Sequence, residues 1–93
     1  MNIRESSVEK GIKEFAKSVG IIMEKQNGPG NRGKADQRAE KNGKCGFLEI
    51  KRPGEKPTKL QLRYLQQKRD NGFPATWVDN IEDGIQWLKE NFL

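Results

Sequence analysis

The chain has 93 residues, 18 Lys or Arg against 13 Asp or Glu, and a formal net charge of +5. That length predicts one small domain over residues 1–93, and with 33% charged and 32% hydrophobic residues a lone domain is short of apolar surface to bury, which favours a homodimer. A single cysteine, Cys45, excludes an intrachain disulfide framework and zinc spacing; the lack of histidine removes imidazole acid–base work; and no signal-like or membrane-length apolar run appears, so the expected setting is intracellular and cytoplasmic.

The first predicted element is a helix from Glu5 to Val19, with Val8, Ile12, Phe15 and Val19 on one apolar stripe. Ser6 and Glu9 have the spacing of a capping box. Glu5 is in line with the stripe and can reach toward the edge of the core. The alternative, an exposed acid favoured by the helix dipole, has equal weight. Gly20 ends the helix, and residues 21–25 read as a short strand. Residues 26–34 form a loop with Gly28, Pro29, Gly30 and Gly33, plus Arg32 and Lys34. It lacks a phosphate-loop ending, so a plain loop is the simpler reading, although its cations and glycines suit a phosphate backbone.

Residues 36–51 read as a β-hairpin turning at Asn42-Gly43, where both residues tolerate positive φ. A two-residue turn pairs Lys41 with Lys44, Arg38 with Phe47, and Asp36 with Glu49. Two carboxylates facing each other repel, and a divalent cation shared between them would offset that. Alternation places Phe47, Glu49 and Lys51 on one face and Leu48 and Ile50 on the other. Two acids and an ammonium together suit metal-dependent phosphodiester hydrolysis. The same residue types also populate solvated hairpin faces, and on the hairpin alone the two readings weigh equally.

A turn through Pro53, Gly54 and Pro57 leads to a helix opened by Thr58, with Gln61 at capping-box spacing, and closed by Gly72. Residues 51–69 hold seven Lys or Arg against one acid, Glu55. Such runs are usually a solvated face, but beside a carboxylate cluster this one suits DNA phosphates. Residues 75–78 form a fourth strand. Asn80 caps a last helix from Ile81 to Asn91, with Ile85, Leu88 and Phe92 on one side and Trp87 at the edge.

The order α-β-β-β-α-β-α, with Asp36 and Glu49-Ile50-Lys51 on consecutive strands, resembles the VRR-NUC branch of the PD-(D/E)XK nuclease superfamily, in particular its small phage-type members. Gly33-Lys34-Ala35-Asp36 is similar to that family's Gly-x-Pro-Asp segment, with Ala35 in place of proline. Glu49-Ile50-Lys51-Arg52-Pro53-Gly54 resembles its Glu-x-Lys strand and turn, and Thr58-x-x-Gln61 its following helix. The resemblance spans essentially the whole chain. It implies an α/β restriction-endonuclease-like core, a mixed sheet flanked by helices. It also implies a site in which Asp36, Glu49 and Ile50 hold Mg2+ or Mn2+. Lys51 would position the attacking water or stabilise charge, with Gln61 and Glu5 in support; Gln61 has an equal claim as the capping partner of Thr58. Small family members resemble Holliday-junction resolvases in being homodimeric.

The expected function is therefore structure-selective DNA endonuclease activity on branched DNA or four-way junctions. Arg52, Lys56, Lys59, Arg63, Arg69, Arg32 and Lys34 are the expected DNA contacts. Trp77, Trp87 and Phe92 are the first candidates for the dimer interface. A non-catalytic DNA-binding module with the same fold is the alternative, and metal-dependent cleavage separates the two. An RNA- or protein-binding role ranks last, because aromatic and basic residues do not interleave as on a stacking surface.

Overall fold

The computed structural model describes residues 3–26 and 33–93. Three helices, α1 (Glu5–Ser18), α2 (Lys59–Asp70) and α3 (Ile81–Phe92), accompany four strands, β1 (Ile22–Lys25), β2 (Gln37–Lys41), β3 (Lys44–Ile50) and β4 (Ala75–Val78). The sheet runs β1-β2-β3-β4. The first two pairings are antiparallel and β3–β4 is parallel. The expected order and mixed α/β sheet are both present.

The hairpin follows from its turn. Asn42 and Gly43 have φ of 51° and 79°, and this fixes the predicted register, Lys41 opposite Lys44 and Arg38 opposite Phe47. Strand β3 is then central. From Gly46 to Ile50 every residue is buried, because both faces of the strand are covered. Leu48 and Ile50 face α1 and α3 in a core with Val8, Ile12, Leu88 and Phe92. Phe47 joins Ala35, Leu65 of α2 and Ala75 in a smaller cluster on the other face. A charged side chain on β3 is therefore drawn into the interior unless it lies at the strand's end.

Helices α1 and α3 meet through a reciprocal pair of glycines. A Cβ on Gly11 would lie 2.6 Å from Ile81 Cδ1, and one on Gly84 would collide with Ile12 Cδ1. Only bare backbone admits the two isoleucines there.

Three expectations are corrected. The Ser6–Glu9 capping box does not form. Arg4 is the N-cap, with no side-chain cap, and its carbonyl accepts from the amides of Ser7 and Val8 at 3.0 and 3.3 Å. Glu9 instead pairs with Lys13 at 3.7 Å and Lys25 at 3.9 Å. The first helix ends one residue early. Gly20 N–H donates to the Lys17 carbonyl and Ile21 N–H to the Ala16 carbonyl, a Schellman closure that takes Ile21 out of β1. Finally, Trp77, Trp87 and Phe92 belong to the fold's own packing. Phe92 is buried, Trp87 packs edge-on against it, and Trp77 packs on the smaller cluster. A sheet covered on both faces draws these side chains into its own packing.

Candidate active site

Glu5, Asp36 and Glu49 come from three different elements and converge. One carboxylate oxygen from each lies within 4.8 Å of the others. Glu5 is the first residue of α1, because Arg4 rather than Ser6 is the N-cap. Asp36 directly precedes β2, one residue beyond the last hairpin pair, Gln37↔Leu48. Glu49 is on β3 and only 3% exposed. Lys51 follows β3, with its Nζ 3.7 Å from Glu49 Oε2. Glu49 Oε1 is buried and has no hydrogen-bond partner among the described residues.

The electrostatics follow from that crowding. Burial, then the Asp36 charge and more weakly Glu5, push the Glu49 carboxyl up to about 7; Lys51 and the Asp36 amide oppose the rise. Burial also raises Asp36, with Glu9 adding to it and Lys25 countering. Glu5 is raised by burial and by Asp36. Three acids that resist ionisation together, with one orphaned buried oxygen, form a site short of positive charge. The donors are hard oxygens, which suit Mg2+ or Mn2+ rather than zinc.

Ile50 can contribute only its main chain, since its side chain is in the core. Phe47 donates its amide to the carbonyl of Pro74, just before β4, and Lys51 to that of Val78 in β4, at 2.9 Å each. Alternation therefore turns the Ile50 carbonyl toward β2. The β2–β3 ladder stops two residues short of Ile50, so that carbonyl has no ladder partner among the described residues.

The cluster opens into a cavity of about 520 Å³ whose wall includes Asp36, Glu49, Gln61, Lys25, Lys34 and Leu60. Gln61 forms the expected capping box with Thr58 and also reaches the cavity wall. Its Oε1 accepts from the Thr58 amide at 2.8 Å and its amide donates to Thr58 Oγ1 at 3.1 Å, while the same residue lines the cavity.

The expected DNA contacts divide. Lys34 is in the cavity wall. Arg63 borders a groove with Gly33, Leu60 and Tyr64. Lys56 and Lys59 are exposed, and Arg52 pairs with Glu55 at 3.9 Å. Arg69 is committed elsewhere: it donates to the Ala75 carbonyl at 2.7 Å and to Gln66 Oε1 at 3.0 Å, tying α2 to β4. Arg32 lies outside the described residues, as do Gly28, Pro29 and Gly30 of the same loop. Lys25 and Gln26 of the cavity wall were missed from sequence. The signal was present in principle: pairing β1 with β2 puts Lys25 opposite Gln37, beside Asp36.

No family model matches the chain. It is 48% identical to "Putative nuclease p44" of Acyrthosiphon pisum secondary endosymbiont phage 1 over 62 residues, 66% of this chain and 67% of the other. A solved structure described as a VRR_NUC domain matches with a TM-score of 0.80 and 26% identity, covering 96% of this chain and 97% of that one.

Proposed function

Since the chain belongs to the VRR-NUC family of PD-(D/E)XK nucleases, we propose that it is a divalent-metal-dependent DNA endonuclease. The observation that carries this is the convergence of Glu5, Asp36 and Glu49 within 4.8 Å, with Lys51 against Glu49. Asp36, Glu49 and the Ile50 carbonyl would hold Mg2+ or Mn2+, with Glu5 completing the acid set. When bound, the ion polarises a phosphate and lowers the pKa of its water.

The chain's own residues do the rest. Lys51 brings an ammonium to where a phosphorane gathers negative charge. Lys34 in the cavity wall and the exposed Lys56, Lys59 and Arg63 meet flanking phosphates, which position the strand without reading its sequence. Gln61, held by the α2 cap, supplies a fixed polar wall. The intact acid cluster speaks against a non-catalytic DNA-binding module.

The finer reading is a homodimer acting on branched DNA. One cluster cuts one strand, whereas resolving a four-way junction takes two symmetric cuts, and an isologous pair supplies two sites. With the tryptophans engaged internally, the apolar side chains left exposed include Ile22, Leu60, Leu62 and Phe73.

The test is incubation of purified protein with Mg2+ or Mn2+ and a panel of plasmid, flap and four-way-junction DNA, alongside sedimentation at micromolar concentration. Cleavage that needs metal and disappears in Asp36→Asn is expected. Metal-independent cleavage, or full activity in that variant, rejects the site. A monomer that makes paired nicks in junctions rejects the dimer alone.

A further inference from the structure

Asp36 is the least supported of the three acids by regular structure. It precedes β2 and lies past the last β2–β3 pair. No described main-chain carbonyl takes the Ala35 amide, and Ala35 itself offers only a buried methyl to the smaller cluster. Yet a metal site needs its carboxylates placed to a fraction of an ångström.

One residue compensates. The Gln26 amide donates to the Asp36 carbonyl at 2.9 Å. Its side-chain Nε2 donates to the Ala35 carbonyl at 3.0 Å, and its Oε1 receives the Tyr64 hydroxyl of α2 at 3.5 Å. The Ala35 carbonyl belongs to the peptide plane before the Asp36 Cα, and the Asp36 carbonyl to the plane after it. With both planes held, the direction of the Asp36 Cα–Cβ bond is fixed.

We propose that Gln26 is a positioning residue for Asp36, a fork that grips both peptides flanking it and is steadied from α2 by Tyr64. The proposal rests on the reading of Asp36 as a metal ligand. Residues behind a ligand orient it, and losing one typically costs about 10- to 100-fold in metal affinity.

The experiment is Mn2+ titration calorimetry on the DNA-free protein, with thermal melts and cleavage kinetics in parallel. Wild type must bind Mn2+. If it does not, the metal-site reading fails before any variant is made. In Gln26→Met, which has similar length but no donor or acceptor, Mn2+ affinity should fall by about 10- to 100-fold, and kcat should fall with the KM for DNA unchanged. Tyr64→Phe should move both in the same direction by less. Gln26→Glu separates positioning from charge. An added carboxylate would tighten cation binding if only charge mattered, but it cannot donate to the Ala35 carbonyl, so weaker binding is expected. A Gln26→Met protein that melts lower yet binds Mn2+ as wild type does would show Gln26 to be merely structural and overturn the proposal.

Discussion

At the turn of the β2–β3 hairpin Lys41 stands opposite Lys44; at the open end Asp36 and Glu49 come together. Both ends juxtapose like charges, a destabilising arrangement in a strand pair. At the turn the charges escape. Lys44 is exposed, and Lys41 reaches back to donate to the Val19 carbonyl at 2.6 Å, where an ammonium meets the negative end of α1. At the open end there is no such outlet. Helices cover both faces of β3, Glu49 is 3% exposed, and its carboxyl rises to about 7. Register alone therefore makes no site. Register combined with burial does, because solvent screens one pair and is kept from the other.

The contrast predicts, first, that Glu49→Gln abolishes metal-dependent cleavage yet melts higher than wild type at pH 8 without metal. A folded, fully active Glu49→Gln protein would break the comparison at its centre.

The second prediction concerns pH. With Glu49 titrating near 7 when folded, against 4.5 for the ordinary group, the native state binds the extra proton between these values. Metal-free stability should be highest below about pH 4.5 as far as this group is concerned. It should then decline as pH rises through 7, by up to about 3 kcal/mol. Saturating Mn2+ should restore more stability at pH 8 than at pH 5. Chemical denaturation across this range checks the sign, and a slope that survives in Glu49→Gln would assign it to other groups.

Lys59 and Arg63 are four apart on α2 and exposed, so they share a face. Replacing both with Ala should reduce the slope of log affinity against log salt for DNA by about two, with the melting temperature nearly unchanged. An unaltered slope would put the phosphates elsewhere.

The smallest effects belong to the turn. Lys41→Met should cost about 1 kcal/mol, through the lost bond to Val19. Lys44→Ala should stay within about 0.5 kcal/mol. A larger loss at Lys44 would mean the turn is not the relaxed end it is taken to be.

What could be read from the sequence follows the range of the interactions. Asn42-Gly43 fixes register locally, so the approach of Asp36 to Glu49 could be derived by counting. Thr58 and Gln61 form their box within one turn. The start of α1 could not be read in this way. Ser6 competes with Arg4 for the cap, and the preference is settled by where the stripe of Val8 and Ile12 meets β3 and α3. The β1–β2 pairing joins strands that no two-residue turn connects, and its register, Lys25 opposite Gln37, is not the one that Asn27-Gly28 would set, so the place of Lys25 and Gln26 could not be counted out. In sequence Arg69 does not differ from its neighbours in the basic run, and only the fold brings the Ala75 carbonyl within its reach.

The glycine contacts between α1 and α3 have a mechanical consequence. With Ile12 set against Gly84 and Ile81 against Gly11, α1 is indexed along its axis like a key in a lock. Glu5 is six residues from Gly11, about 9 Å of helix, a length over which a helix behaves as a rod. A methyl added by Gly84→Ala would force Ile12 to yield, and the slip would arrive at Glu5 undiminished. Weaker Mn2+ binding in that variant, with Asp36 and Glu49 intact, would reveal the linkage; unchanged binding would show that α1 absorbs the strain locally. Helix α3 supplies none of the three acids of the cluster, yet it packs against the helix from which one of them projects.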